Sequence, residues 1–262
     1  DVIVCAMGES ADMSGECSSR TSLVLPDVQR ELLAELVKMG KPVVMLNFSG
    51  RPTVLTWEQN NVDAILNVWF GGSEAADAIC DVVFGDVAPS GRLTMTFPRN
   101  EGQIPIYYNH LNTGRPVPEG TKEFRKYASN YLDEVNGPAL PFGLRPELHE
   151  PSATANLSVT GSGRNFKASV TVSNTGNYDA DEVVQLYVRD PVASISRPVK
   201  ELKGFSRIHL KKGESRTVEF DITEDDLSFY DAEGRKVFEP GEFHIMAGHD
   251  SRSLQSVTIT AK

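Results

Sequence analysis

The sequence predicts two fold classes in succession: an open α/β sheet in three layers over residues 1–150, then an all-β sandwich over residues 151–262. Apolar runs alternate with segments of helical period in the first part. Short stretches of period-2 alternation, separated by turn residues, fill the second. Between them, residues 138–155 are rich in proline with polar insertions and read as a linker.

Residues 2–7 form a strand-like run, followed by a polar loop from Gly8 to Thr21. Val28, Leu32, Leu33, Leu36 and Val37 then recur at helical spacing, with Pro26 suited to the first turn and Gly40 to the stop. Residues 42–47 are continuously apolar and end at Gly50-Arg51-Pro52, the pattern of a parallel strand covered on both faces. Residues 62–70 repeat it and stop at Gly71-Gly72. Ser73 is placed to cap a helix whose inward face would be Ala75, Ala76, Ile79, Val82 and Val83, with Gly85 ending it. Such alternation indicates an open sheet with helices on both faces.

In the second half, Phe166, Ala168, Val170 and Val172 alternate inward before Asn174-Thr175-Gly176-Asn177. Residues 183–188 follow, then Ile208 and Leu210 before Lys211-Lys212-Gly213-Glu214. Val218, Phe220 and Ile222 come next, then Phe243 and Ile245, and last Val257 and Ile259. About seven short strands with regular turn signals describe an immunoglobulin or fibronectin type III sandwich. The lack of paired cysteines favours the latter.

The formal net charge of −10 disfavours a nucleic-acid backbone or an anionic membrane as partner and suits a neutral ligand such as a sugar. No apolar run approaches the roughly 20 residues that span a bilayer. Asp1 opens directly onto a strand pattern, so the chain reads as a piece of a longer one without a targeting leader, and location is not legible from it. Cys5, Cys17 and Cys80 make no disulfide framework; Cys5 and Cys80 read as core residues and Cys17 as a small loop residue. The five histidines are scattered without metal-ligand spacing, and no cofactor is implied. Gly71-Gly72-Ser73 lacks the full pattern and the lysine of a phosphate cradle.

Ligands of open α/β sheets bind beyond the carboxyl ends of the strands. The loop after the first strand, Gly8-Glu9-Ser10-Ala11-Asp12-Met13-Ser14-Gly15-Glu16-Cys17-Ser18-Ser19-Arg20, is therefore the candidate site. It carries three carboxylates and one arginine. Composition leaves it open whether these carboxylates act chemically, cap turns or pair with Arg20.

Residue order adds to this. Gly-Glu after the strand, then Gly15-Glu16-Cys17-Ser18-Ser19-Arg20, resembles the β-glucosidases of glycoside hydrolase family 3. So, in order, do Gly40-Lys41-Pro42-Val43-Val44 with Ser49-Gly50-Arg51-Pro52, Trp69-Phe70-Gly71-Gly72-Ser73-Glu74, Pro89-Ser90-Gly91-Arg92-Leu93 with Thr96-Phe97-Pro98, and Leu111-Asn112-Thr113-Gly114-Arg115-Pro116. The last is similar to the periplasmic subgroup. Ser194-Ile195-Ser196-Arg197-Pro198-Val199-Lys200-Glu201-Leu202-Lys203-Gly204-Phe205 resembles the family's fibronectin-like module.

The resemblance implies the C-terminal portion of a retaining, exo-acting β-glucosidase, periplasmic or secreted, that removes terminal β-D-glucosyl residues. It also implies an N-terminal barrel that supplies a nucleophilic aspartate, and it admits a homodimer. Glu16 matches the acid/base glutamate, with Glu9 its rival; Arg20, Ser18 and Ser19 would support the site, and His110 would contact substrate or barrel. Asp12, Asp63 and Asp77 do not lie in the nucleophile's context, and the chain is too short for a barrel of about 250 residues. By itself it should hydrolyse nothing. The alternative is a non-catalytic carbohydrate-binding or assembly module of the same fold. Trp69 is open to two readings, a sugar platform or core packing. One departure is that Pro141-Phe142-Gly143 runs straight into Leu144-Arg145-Pro146-Glu147-Leu148-His149, without the family's serine–tyrosine continuation, which puts the packing there in doubt.

Overall fold

The computed structural model describes residues 1–144 and 152–262. The chain forms two compact units that interleave along the sequence. One comprises Asp1–Val87, Thr96–Ile106 and Gly137–Leu140; the other Ala88–Met95, Tyr107–Asn136 and Pro141–Lys262. The expected boundary at 150/151 and the altered run after Leu144 lie outside the described residues. The linker expected up to Ala155 is shorter than that, because a strand already begins at Ser152.

In the first unit, strands β1 (Ile3–Gly8), β2 (Val43–Phe48) and β3 (Ala64–Asn67) form a parallel sheet in that order. Their register sets Met7 beside Asn47 and Asn47 beside Asn67. Asn47 is fully buried, and its side-chain amide donates to Asn67 Oδ1 at 2.8 Å and Thr53 Oγ1 at 3.1 Å. Helix α1 (Asp27–Val37) buries Leu33 completely, and Pro26, expected in its first turn, stands one residue earlier as its N-cap. A short helix that periodicity does not reveal, α2 (Thr56–Asn61), buries Glu58 beside Arg30 of α1, at 3.4 Å. Phe97, also fully buried, exchanges backbone hydrogen bonds with Leu140.

Several expectations for the helical faces need correction. Val28 and Leu32 of α1 are exposed, although they share its apolar periodicity. Helix α3 (Ala75–Phe84) buries no residue fully: Ala75, Ile79, Val82 and Val83 are half-covered, Ala76 is exposed, and Cys80 is exposed rather than core. Its N-cap is Glu74, not Ser73. Periodicity marks the face that gains from burial; whether another segment covers it is a separate fact. Cys5 is buried as expected.

The second unit is built on a sandwich of seven strands. Strands β4 (Ser152–Ser162), β5 (Asn165–Asn174), β6 (Ala180–Arg189), β7 (Glu201–Leu210) and β8 (Ser215–Ile222) are followed by a one-turn helix, α4 (Glu224–Leu227). A small hairpin, β9 (Phe229–Tyr230) and β10 (Lys236–Val237), precedes β11 (Gly241–Gly248) and β12 (Leu254–Ala261). The sheets run β12-β11-β6-β7 and β4-β5-β8. Phe166, Ala168, Val170 and Val172 pack against Val184, Leu186, Phe243 and Ile245 in the core, as period 2 requires. Arg92 of the Pro-Ser-Gly-Arg-Leu run belongs to this unit and pairs with Glu182, both side chains nearly inaccessible. Tyr187 is fully buried beside Tyr108, which stacks on Phe142 at 4.6 Å between centroids.

Candidate active site

The site lies in the first unit, where β1 and β2 end side by side in register, Gly8 opposite Phe48. Gly8 has φ 131°, and a Cβ there would fall 1.8 Å from the Phe48 carbonyl oxygen, so only glycine lets the chain leave the strand this close to its neighbour. Gln29 of α1 holds that peptide from both sides. Its Oε1 accepts from Gly8 N at 2.8 Å and its Nε2 donates to Gly8 O at 3.0 Å.

Glu9 follows and turns inward, its side chain 1% exposed. Arg20 Nη1 donates to Oε1 at 3.0 Å, and Arg51 Nε stands 3.2 Å from the same oxygen. Ser49 Oγ donates to Oε2 at 2.9 Å, and Gly50 N–H at 3.3 Å. Burial by itself would raise the pKa of this carboxyl. The hydrogen bonds from Ser49 and Arg20, the Arg51 charge and the Gly50 N–H outweigh that and hold it below the usual glutamate value. Glu9 is an ionised structural hub.

Beyond Glu9 the loop makes a single 3-10 turn, Ala11–Met13, and then a tight turn in which Ser18 N donates to Gly15 O at 3.2 Å. Glu16 and Cys17 occupy the middle of that turn, Cys17 at φ 62°. A left-handed non-glycine residue at the third position of a turn stores on the order of 1 kcal/mol of strain. Glu16 is exposed, and its carboxylate makes no hydrogen bond or ion pair among the described residues. The loop after β2 closes against it: a Cβ on Gly50 would lie 2.0 Å from Ser14 Oγ, so glycine permits the approach.

Of the other expected site residues, Arg20 is committed to Glu9, Ser18 gives its carbonyl to Arg51 Nη2 at 3.0 Å, and Ser19 is exposed. His110 belongs to the second unit, where its Nδ1 sits 2.9 Å from the Leu111 carbonyl. Asp63 accepts from Val43 N at 2.8 Å at the start of β2. Trp69 is half-buried with its ring 5.8 Å from that of Phe97. Residue-by-residue reading passed over Ser49, Gly50 and Arg51 as site members. The signal was available, since they leave the carboxyl end of the second strand, where open sheets assemble their sites. Among the described residues no group of three or more His, Cys, Asp or Glu side chains is placed to hold a metal ion. No helix among the described residues is long and apolar enough to cross a membrane.

Residues 1–134 match the family model described as the glycosyl hydrolase family 3 C-terminal domain, and residues 182–251 match the fibronectin type III-like domain. Fold and matches together define the class, a glycoside hydrolase's α/β domain joined to a fibronectin-like sandwich. A periplasmic β-glucosidase of Salmonella typhimurium is 46% identical over 97% of this chain and 34% of its own length. A β-xylosidase of Formosa agariphila is 39% identical over 100% of the chain and 36% of its own. The β-glucosidase of Listeria innocua, in a structure with glucose, superposes with a TM-score of 0.92 at 40% identity, covering 100% of this chain and 36% of that one. The chain thus spans about a third of the length of these relatives. It belongs to glycoside hydrolase family 3.

Proposed function

We propose that this chain is the acid/base-bearing portion of a retaining, exo-acting β-glucosidase, and that Glu16 is its general acid/base. One observation carries the choice of residue. Of the two glutamates in the loop, Glu9 is consumed by two arginines, a hydroxyl and a backbone N–H, whereas Glu16 stands exposed on a turn with its carboxylate uncommitted. A carboxylate locked as the anion by two cations is a poor proton donor; an acid/base residue has to gain and lose a proton in each cycle.

The reaction needs a second carboxylate, an aspartate on a barrel outside this chain, about 5–5.5 Å from the first. In the first step that aspartate attacks the anomeric carbon, the glycosidic C–O bond breaks, and Glu16 gives its proton to the departing oxygen. In the second, Glu16 takes a proton from water, whose oxygen displaces the aspartate and restores the β configuration. The Salmonella and Listeria relatives support glucose as the sugar, and the name of the former supports a periplasmic location.

The chain alone is expected to release no measurable aryl alcohol from an aryl β-glucoside, whereas the same chain joined to its barrel should turn over. Glu16-dependent turnover by the isolated chain would overturn the two-domain site. Sugar binding by this chain without any active barrel partner would instead favour a binding module.

A further inference from the structure

We infer that Arg51 is the positioning residue of the acid/base turn, and that it fixes Glu16 by holding the two ends of that turn together. This rests on the reading of Glu16 given above. Arg51 Nη2 donates both of its hydrogens across the loop, one to Met13 O at 2.7 Å and one to Ser18 O at 3.0 Å. Those carbonyls bracket Ser14, Gly15, Glu16 and Cys17.

Among the described residues, the remaining hydrogen bonds of residues 13–18 are local: Met13 N to Ser10 O, Ser18 N to Gly15 O and Ser18 Oγ to Glu16 O. Beside the packing of Ser14 on Gly50, Arg51 is, among the described residues, the hydrogen-bonding tie between this turn and the loop after β2. Local bonds define the shape of a turn but not its position. The guanidinium is itself anchored, because its Nε faces buried Glu9, whose other oxygen is held by Ser49 and Gly50 from Arg51's own loop. The planar fork explains the residue type. A lysine ammonium can pair with Glu9, but its three donors share one nitrogen and cannot reach the carboxylate and both carbonyls from separate edges of a planar group.

The turn also holds Cys17 in a strained left-handed conformation, so without the clamp it has a local reason to relax. A displacement of about 1 Å at a group that must meet the leaving oxygen lowers the rate about 10²-fold.

The test is a double-mutant cycle in the barrel-containing enzyme, comparing Arg51→Met, Glu16→Gln and the pair on methyl β-glucoside, a poor leaving group, and on a dinitrophenyl β-glucoside, which departs without a proton. Arg51→Met should lower kcat/KM for the methyl glucoside about 10²-fold, leave the dinitrophenyl substrate within a few-fold, and add no further selective loss once Glu16 is Gln. Equal loss on both substrates, or full additivity with Glu16→Gln, overturns the inference. If Arg51→Met fails to fold, Arg51→Lys retains a cation opposite Glu9 and should show the same selectivity; an unselective loss there also overturns it. If Glu16→Gln is itself unselective, the acid/base reading falls and the inference with it. A selective Glu16→Gln with an unselective Arg51→Met overturns the inference alone.

Discussion

Glu16→Gln in the barrel-containing enzyme is expected to lower kcat/KM for methyl β-glucoside by about 10²–10⁴-fold while leaving that for a dinitrophenyl β-glucoside within a few-fold. The split follows from where the proton is needed. An alkoxide cannot leave unprotonated, so the methyl glucoside depends on the acid; a dinitrophenolate leaves unaided. kcat/KM reports only the steps up to glycosylation. The later attack of water still needs the base, so kcat for the activated substrate should fall and a burst of dinitrophenolate should precede slow turnover. Glutamine preserves the size of the side chain at an exposed turn position, so this change should not alter stability.

Glu9→Ala should do the reverse, acting first on the fold. It removes the anion that faces Arg20 and Arg51 and leaves Gly50 N without its acceptor, while Ser49 Oγ keeps the Arg51 carbonyl at 2.7 Å. Breaking a buried pair on one side costs about 3–5 kcal/mol, readable as a lower urea midpoint for this chain. The pH dependence has a definite sign. The folded-state pKa of Glu9 lies below its unfolded value, so its stabilisation is complete above about pH 4.3, the ordinary glutamate pKa, and is lost as pH falls through the folded value. Glu9→Gln should flatten that part of the acid-unfolding curve. Full stability with unchanged acid sensitivity in either variant would show that Glu9 is no hub.

The β-sandwich was the most legible part of the chain. Phe166, Ala168, Val170 and Val172 announce their inward face by strict alternation, and a strand in a sandwich has one inside. The helices were less so. Val28, Leu32 and Ala76 sit on apolar periodicity yet remain exposed, because a pattern records a preference and not the presence of a neighbour. Helix α2 was hidden by its composition: Thr-Trp-Glu-Gln-Asn-Asn has no apolar repeat, and its burial centres on a charged residue, Glu58. The candidate loop was found from strand order, but its two glutamates could not be separated on chemical grounds without tertiary partners. Ser49, Gly50 and Arg51 lie some 40 residues from Glu9 in sequence, and no local pattern expresses that pairing.

The most direct measurement is the product formed by the barrel-containing Glu16→Ala variant from a dinitrophenyl β-glucoside in the presence of azide. With the base removed and a small cavity in its place, azide needs no deprotonation. It attacks the anomeric carbon of the glycosyl-enzyme, forming a C–N bond as the bond to the aspartate breaks. Two inversions give β-glucosyl azide, and turnover should rise with azide concentration. Formation of the α-azide, or no azide dependence at all, would contradict Glu16 as the acid/base of a retaining glycosidase.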